Sequence, residues 1–292
     1  MLPFLKLPDV VQRNVFKRAE FRDLFVLTLS SKRAQHVSLR DPMLLCSYSR
    51  DLPNNFYFNI TPHYKALHFI SDFVSNIFLF DHYSFLSVGG YFTEDVEKYV
   101  EGIDVNKIIV TEPKVKAQNL DLILKEINLR EEILFSGAID EPVYEFSSTK
   151  IWDLPIFSSQ KDALCLTDAQ FLRLNCNHIN MHKTSLSADG VISWIRKWLD
   201  GTDNKLRSLA VTLDKEGPRC DPEEVFSQFE ILEWNPRSRD QYYKWEGKGL
   251  VIRDCQYGRD ILRKDGLLAT IVLTKWKFEM YVWHHRFADD FN

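Results

Sequence analysis

Phe171-Leu-Arg-Leu-Asn-Cys176, then Ser187-Ala-Asp-Gly-Val-Ile-Ser-Trp-Ile-Arg-Lys-Trp-Leu-Asp-Gly201, then Leu206-Arg-Ser-Leu-Ala-Val-Thr212 is the stretch that decides the fold class. The middle segment is the best-marked helix of the chain. Ser187 supplies an N-cap oxygen. Val191, Ile195, Trp198 and Leu199 share one face at helical spacing. Gly201 stands where a left-handed C′ residue belongs. Apolar, strand-like segments flank the helix, so strand, helix and strand together predict a βα crossover.

Working towards the N-terminus, Ile133–Ser136 and Lys107–Val110 read as strands, and Leu120–Ile127 and Glu94–Val100 as helices. His63–Phe80 has helical spacing through Leu67, Ile70, Val74 and Ile77. Gly89-Gly90 marks a turn, and the polar segment Ser49–Thr61, with Pro53, Asn54 and Asn55, reads as a linker or loop. Towards the C-terminus, Leu250–Arg253, Asp260–Arg263, Leu267–Leu273 and Phe278–Trp283 are strand-like. Asp265-Gly266 signals a hairpin whose two turn positions both take φ > 0. These segments predict an antiparallel meander closing one end of the domain. The expected fold is therefore mixed, α+β or α/β: a small N-terminal helical module, a degenerate leucine-rich-repeat-like βα domain of irregular period, and the meander.

The 292 residues suit one large domain, or a small module plus a larger one. A hydrophobic fraction of 45% and a charged fraction of 27% are those of an ordinary globular chain with a sizeable core. Net charge is −4, which argues against a nucleic-acid-binding protein. Residues 1–40 nevertheless carry eight Lys/Arg against three Asp/Glu, so the rest holds the acidic excess. The five cysteines form no C-x-x-C pair and read as reduced thiols. Lys6 and Asp9 interrupt any leader-like apolar stretch at the start, and the run around Phe69–Phe80 is too short and broken to span a membrane. The expected location is cytoplasmic and/or nuclear, with no membrane partner.

Residues 4–39 read as a compact helical module that begins at Leu7-Pro8-Asp9-Val10-Val11, where Pro8 suits a first helical turn. It continues through Asn14-Val15-Phe16 and closes on Leu24-Phe25-Val26-Leu27-Thr28-Leu29-Ser30-Ser31-Lys32-Arg33. Leu7, Pro8, Val11, Val15, Leu24 and Leu27 are more apolar surface than about forty residues can enclose. Surplus apolar surface of this kind marks a partner site.

These N-terminal residues resemble an F-box. Glu20-Phe21 replaces the family's Asp-Pro turn, and the late Trp is absent. The remainder resembles the F-box associated domain (type 2) of nematode F-box proteins. Phe171–Cys176, Trp194–Gly201, Leu206–Val211, Gly258–Ile271 and Phe278–Trp283 carry that likeness. The resemblance implies three parts: an F-box helical module at 1–45, a linker and irregular α/β region at 46–165, and the associated domain at 166–292. It implies a substrate-recognition subunit of an SCF-type cullin–RING ubiquitin ligase with no catalysis of its own. Leu7, Pro8, Val11, Val15, Leu24, Leu27 and Leu29 would dock a Skp-family adaptor, and the C-terminal domain would bind an unknown target protein. The alternatives are a non-catalytic interaction scaffold outside a ligase and a hydrolase on an α/β scaffold.

No Walker loop, G-x-S-x-G or G-x-G-x-x-G is present. No cofactor or metal is expected: Cys176, His178 and His182 lack a fourth ligand, and His284-His285 with Asp289 and Asp290 reads as a polar tail. Glu223-Glu224, after Asp221-Pro222, belongs to the first turn of a helix. Cys220 beside Arg219 is at most a weakly activated thiol. Trp234, Tyr242, Tyr243 and Trp245, with Tyr257, alternate with Arg237, Arg239, Lys244 and Arg253. That composition fits a target-binding surface, a single-strand nucleic-acid platform, or core rings edged by solvated charges.

Overall fold

A computed structural model describes residues 44–48, 56–60, 83–88, 102–111, 114–160, 163–201, 205–215, 217, 220–245 and 251–284. The chain divides into two compact units, residues 1–71 and 72–292. The expected helices at 4–39, 63–80 and 94–100 lie outside the described residues.

In the first unit, β1 (Leu44–Tyr48) and β2 (Phe56–Ile60) pair antiparallel, with Cys46 opposite Phe58. This corrects the linker expected at 49–61. Pro53-Asn54-Asn55 stops short of Phe56-Tyr57-Phe58, whose aromatic side chains favour a strand.

The second unit is organised by one nine-stranded sheet, in the order β11-β12-β13-β8-β7-β6-β5-β4-β3. Its strands are β3 (Tyr83–Val88), β4 (Asp104–Val110), β5 (Asn128–Phe135), β6 (Ile156–Ser159), β7 (His178–Thr184), β8 (Ser208–Leu213), β11 (Arg259–Leu262), β12 (Leu268–Thr274) and β13 (Lys277–Trp283). From β3 to β8 neighbours are parallel and in chain order. Each step therefore needs a crossover, and among the described residues three contain α-helices. These are α1 (Ala117–Glu126), α2 (Asp168–Arg173) and α3 (Ala188–Leu199). Right-handed crossovers taken in one direction place such helices on one face of the sheet. One sheet face is correspondingly dry: Ile108, Ile133, Phe157, Ile179, Leu209, Met280 and Ile271 stand side by side across it, all buried. The sheet runs without a break on both sides of residue 165.

Phe171–Cys176, expected as a strand, begins instead as the second half of α2, which holds Phe171, Leu172 and Arg173. Thr167 and Gln170 make a reciprocal capping box there, which starts a helix that the apolar alternation had masked. The strand is instead β7, seven residues long. It carries a bulge at Lys183, the one non-glycine described residue with positive φ (56°). α3 follows expectation closely. Ser187 Oγ accepts from Gly190 N–H at 3.0 Å, and Gly201 has φ 77°. Asp168 at the start of α2 accepts from Ser187 N–H at 3.1 Å, tying the two helix starts together. A Cβ on Gly190 would stand 2.5 Å from Asp168 Oδ1, so this close approach requires glycine.

The meander at the sheet edge forms as expected: β11 pairs β12, β12 pairs β13, and β13 pairs β8, all antiparallel. Its turn differs in type. Gly266 alone has positive φ (88°), and its N–H reaches Arg263 C=O while Arg263 N–H reaches Leu267 C=O. This is a three-residue hairpin loop with glycine at the bulge, not a two-residue loop. Asp265 accepts from Leu267 N–H and from both Nε and Nη2 of Arg263, which holds the loop in that form. The segment at Leu250–Arg253 does not join the meander. Its strand β10 (Val251–Asp254) pairs with β9 (Tyr242–Trp245) as a separate two-stranded ribbon. Among the described residues no helix is long and apolar enough to cross a membrane.

Candidate protein-binding site

The ribbon carries the aromatic residues singled out above and presents its two faces differently. Pairing places Tyr243 opposite Arg253 and Trp245 opposite Val251, while Tyr242 and Lys244 stand opposite Asp254 and Ile252. Side chains alternate along a strand. Tyr243 is buried, and Tyr242 (45% exposed), Lys244, Ile252 (47% exposed) and Asp254 face solvent.

Tyr243 anchors the ribbon. Its ring lies 4.9 Å from Tyr281 and edge-on to Trp283 at 5.3 Å, and its hydroxyl donates to Arg207 C=O at 2.9 Å. With Cys255 and Leu268 these rings form a small core, against which Trp245 and Val272 also pack. Burial pushes the Tyr243 hydroxyl up to about 12, and burial likewise raises Tyr281. Trp245 stacks on His178 at 4.1 Å, and His178 Nδ1 is 2.8 Å from Ser208 Oγ. Burial, helped by the Arg207 charge, lowers His178 to about 4, so at neutral pH the ring is uncharged.

A buried ion pair fixes the loop that leads into β9. Arg239 Nε donates to both oxygens of Asp260 at 2.9–3.0 Å. The same guanidinium donates to Asp240 C=O and Cys255 C=O and lies over the Trp283 ring. Asp260 also accepts from Thr270 Oγ1, which accepts from Trp283 Nε1. The sequence pattern grouped Arg239 with solvated charges, but its side chain is fully buried. Its partner lies 21 residues away, and alternation alone gives no signal of that pairing.

The proposed target-binding residues thus separate. Tyr242 is exposed on the ribbon; Tyr243 is committed to the core; Trp245 is half-buried against His178; Trp234 is half-buried outside the strands. Tyr257, 89% exposed, sits in the turn after β10. Ile252 and Arg207 were missed. Ile252 belongs to the ribbon through pairing with β9, and Arg207 is brought beside Tyr243 by the approach of β8. The adaptor-docking set, Leu7, Pro8, Val11, Val15, Leu24, Leu27 and Leu29, lies outside the described residues.

Other candidates have structural partners. The Cys176 thiol is buried and donates to Trp152 C=O, while His182 faces solvent. Burial pushes Cys220 up to about 11, with the charges of Glu224 and Asp221 adding, so its thiol is protonated at neutral pH. Glu223 and Glu224 occupy the first turn of α4 (Pro222–Phe226), capped by Asp221, as expected. Among the described residues no three His, Cys, Asp or Glu side chains gather as metal ligands.

No curated protein and no solved structure matches the chain. A family model does match at the N-terminus: residues 4–46 are an F-box domain. F-box domains in general dock a Skp-family adaptor within cullin-based SCF ubiquitin ligases and serve there as non-catalytic substrate adaptors.

Proposed function

We propose that this protein is the substrate-recognition subunit of an SCF-type cullin–RING ubiquitin ligase. The F-box at 4–46 is the observation that carries the reading. Leu7, Pro8, Val11, Val15, Leu24, Leu27 and Leu29 are the residues that meet the adaptor. The remainder of the chain is a target-binding region of the F-box associated kind, in which strands from both 46–165 and 166–292 build one sheet. Six parallel strands in chain order, starting at residues 83, 104, 128, 156, 178 and 208, support a leucine-rich-repeat-like origin, at an irregular spacing of 21 to 30 residues. The exposed side of the ribbon, with Tyr242 and Ile252, offers the target aromatic and apolar surface of the kind that dominates binding hot spots, and half-buried Trp245 and Trp234 are further candidates. Tethering a target beside the ligase raises the effective concentration of its lysines, so this subunit needs no chemistry of its own. It acts in the cytoplasm and/or nucleus.

Co-purification with a Skp-family adaptor tests the proposal, comparing wild type with a Leu7→Asp, Val11→Asp double variant. Each Asp places a charge in an apolar contact, at a cost of several kcal/mol. Wild type is expected to retain the adaptor and the variant to lose it. A wild-type chain that retains none contradicts the proposal.

A further inference from the structure

We infer that the free edge of β9 is a docking strand for an acidic, extended segment of a partner protein. The inference rests on the target-binding reading above and gives it a surface and a chemistry. Main-chain groups in an antiparallel pair alternate between facing the neighbour and facing away. Cys255 N–H donates to Gln241 C=O at 2.8 Å, which sets the phase of the ribbon. Gln241, Tyr243 and Trp245 therefore turn their main-chain groups toward β10, and Tyr242 and Lys244 turn theirs outward. Among the described residues nothing bonds the main-chain N–H or C=O of Tyr242 or Lys244. Such an edge is a template for another strand. The edge of the nine-stranded sheet at β11 differs, because Leu232 exchanges both main-chain bonds with Asp260 and closes it.

Side chains decide which segment fits. Lys244 is exposed on β9, and Arg207, also exposed, lies close by, its carbonyl accepting from the Tyr243 hydroxyl at 2.9 Å. Among the described residues no carboxylate pairs with Lys244 or Arg207. β10 instead carries Asp254 beside the exposed Arg253, so its charges offset and it lacks the net positive charge of β9. Charge complementarity thus selects both the β9 edge and an acidic partner. Tyr242 adds exposed apolar area for an alternate side chain of the added strand. A peptide is favoured over single-stranded nucleic acid because the open groups match a peptide main chain and the protein carries a net charge of −4.

The test is selection of an unconstrained displayed peptide library on the full-length protein, followed by synthesis of the enriched sequences. The expected peptides are rich in Asp and Glu and free of proline in their centre. N-methylation at alternate residues weakens them, and N-methylation at the intervening residues does not. Lys244→Glu weakens them roughly tenfold. Lys244→Pro removes an N–H that β10 does not use, so it abolishes binding while near-ultraviolet circular dichroism stays unchanged. The inference is overturned if no peptide family emerges, or if the selected family is indifferent to N-methylation and to Lys244→Glu. Tighter binding of oligouridine RNA, lost with the same substitutions, overturns it as well. Adaptor binding, measured on the same preparations, reports separately on the ligase reading: its absence faults that reading, whereas failure of the peptides alone faults only the β9 assignment.

Discussion

Removing Arg239 should destabilise the sheet unit more than removing any exposed charge. The Arg239 side chain is 0% exposed and that of Asp260 3%. In Arg239→Ala the Asp260 carboxylate loses both guanidinium bonds and keeps the Thr270 hydroxyl as its remaining side-chain partner. Cys255 C=O and Asp240 C=O lose a donor too, and Trp283 loses the cation over its ring. Breaking a buried pair from one side costs about 3–5 kcal/mol. Asp260→Ala should cost a similar amount, because it strands the guanidinium. Replacing both partners with apolar residues, Arg239→Met with Asp260→Leu, removes the uncompensated charge and should recover most of the loss. Urea unfolding followed by near-ultraviolet circular dichroism reads the sheet unit through Trp283, which lies in this network. Single variants costing less than about 1 kcal/mol, as surface pairs do, would refute the reasoning. A double variant that loses the sum of the two single losses would refute it as well.

Four further outcomes follow from the same geometry. Gly190→Ala drives a methyl against Asp168 and should unsettle both helix starts, costing about 1–3 kcal/mol in thermal unfolding; Ser193→Ala, on the same helix, serves as the control. Ser187→Ala removes the α3 cap and should cost about 1 kcal/mol by the same assay. Tyr243→Phe loses the bond to Arg207 C=O but keeps the ring, so a loss of about 0.5–1.5 kcal/mol is expected in urea unfolding. His178 gives a pH signature. Its folded value of about 4 lies below the ordinary 6.5, so between those values the unfolded chain binds a proton that the folded chain refuses. Stability should therefore fall as pH drops through that window, by on the order of 3 kcal/mol from this residue, and His178→Phe should flatten that part of the profile.

Local chemistry made some elements readable before the fold was known. α3 carries its cap, its apolar face and its terminal glycine within fifteen residues, and the structure reproduces the cap, the glycine and, except for half-exposed Leu199, the face, to which Ile192 and Trp194 are added. The meander was readable because Leu268–Thr274 and Lys277–Trp283 are long strands separated by a short turn. α2 was misread even though Thr167 and Gln170 stood at capping-box spacing. There the short apolar run of Phe171, Leu172 and Leu174 gives a strand-like signal, and the cap lies upstream of it. β6 spans four residues, too few to display a period. The candidate site was readable as composition and not as geometry. Which of Tyr242 and Tyr243 faces solvent depends on the ribbon's register and on the Tyr281 and Trp283 rings beneath it. The burial of Arg239 depends on Asp260, a partner no local pattern reveals.

The central claim is that this chain docks a ligase adaptor through residues 4–46. Isothermal titration of the full-length protein with a purified Skp-family adaptor, at several temperatures, tests it most directly. Saturable one-to-one binding with a negative heat-capacity change, the mark of apolar burial, is the predicted result. Absence of binding by a folded protein would contradict it.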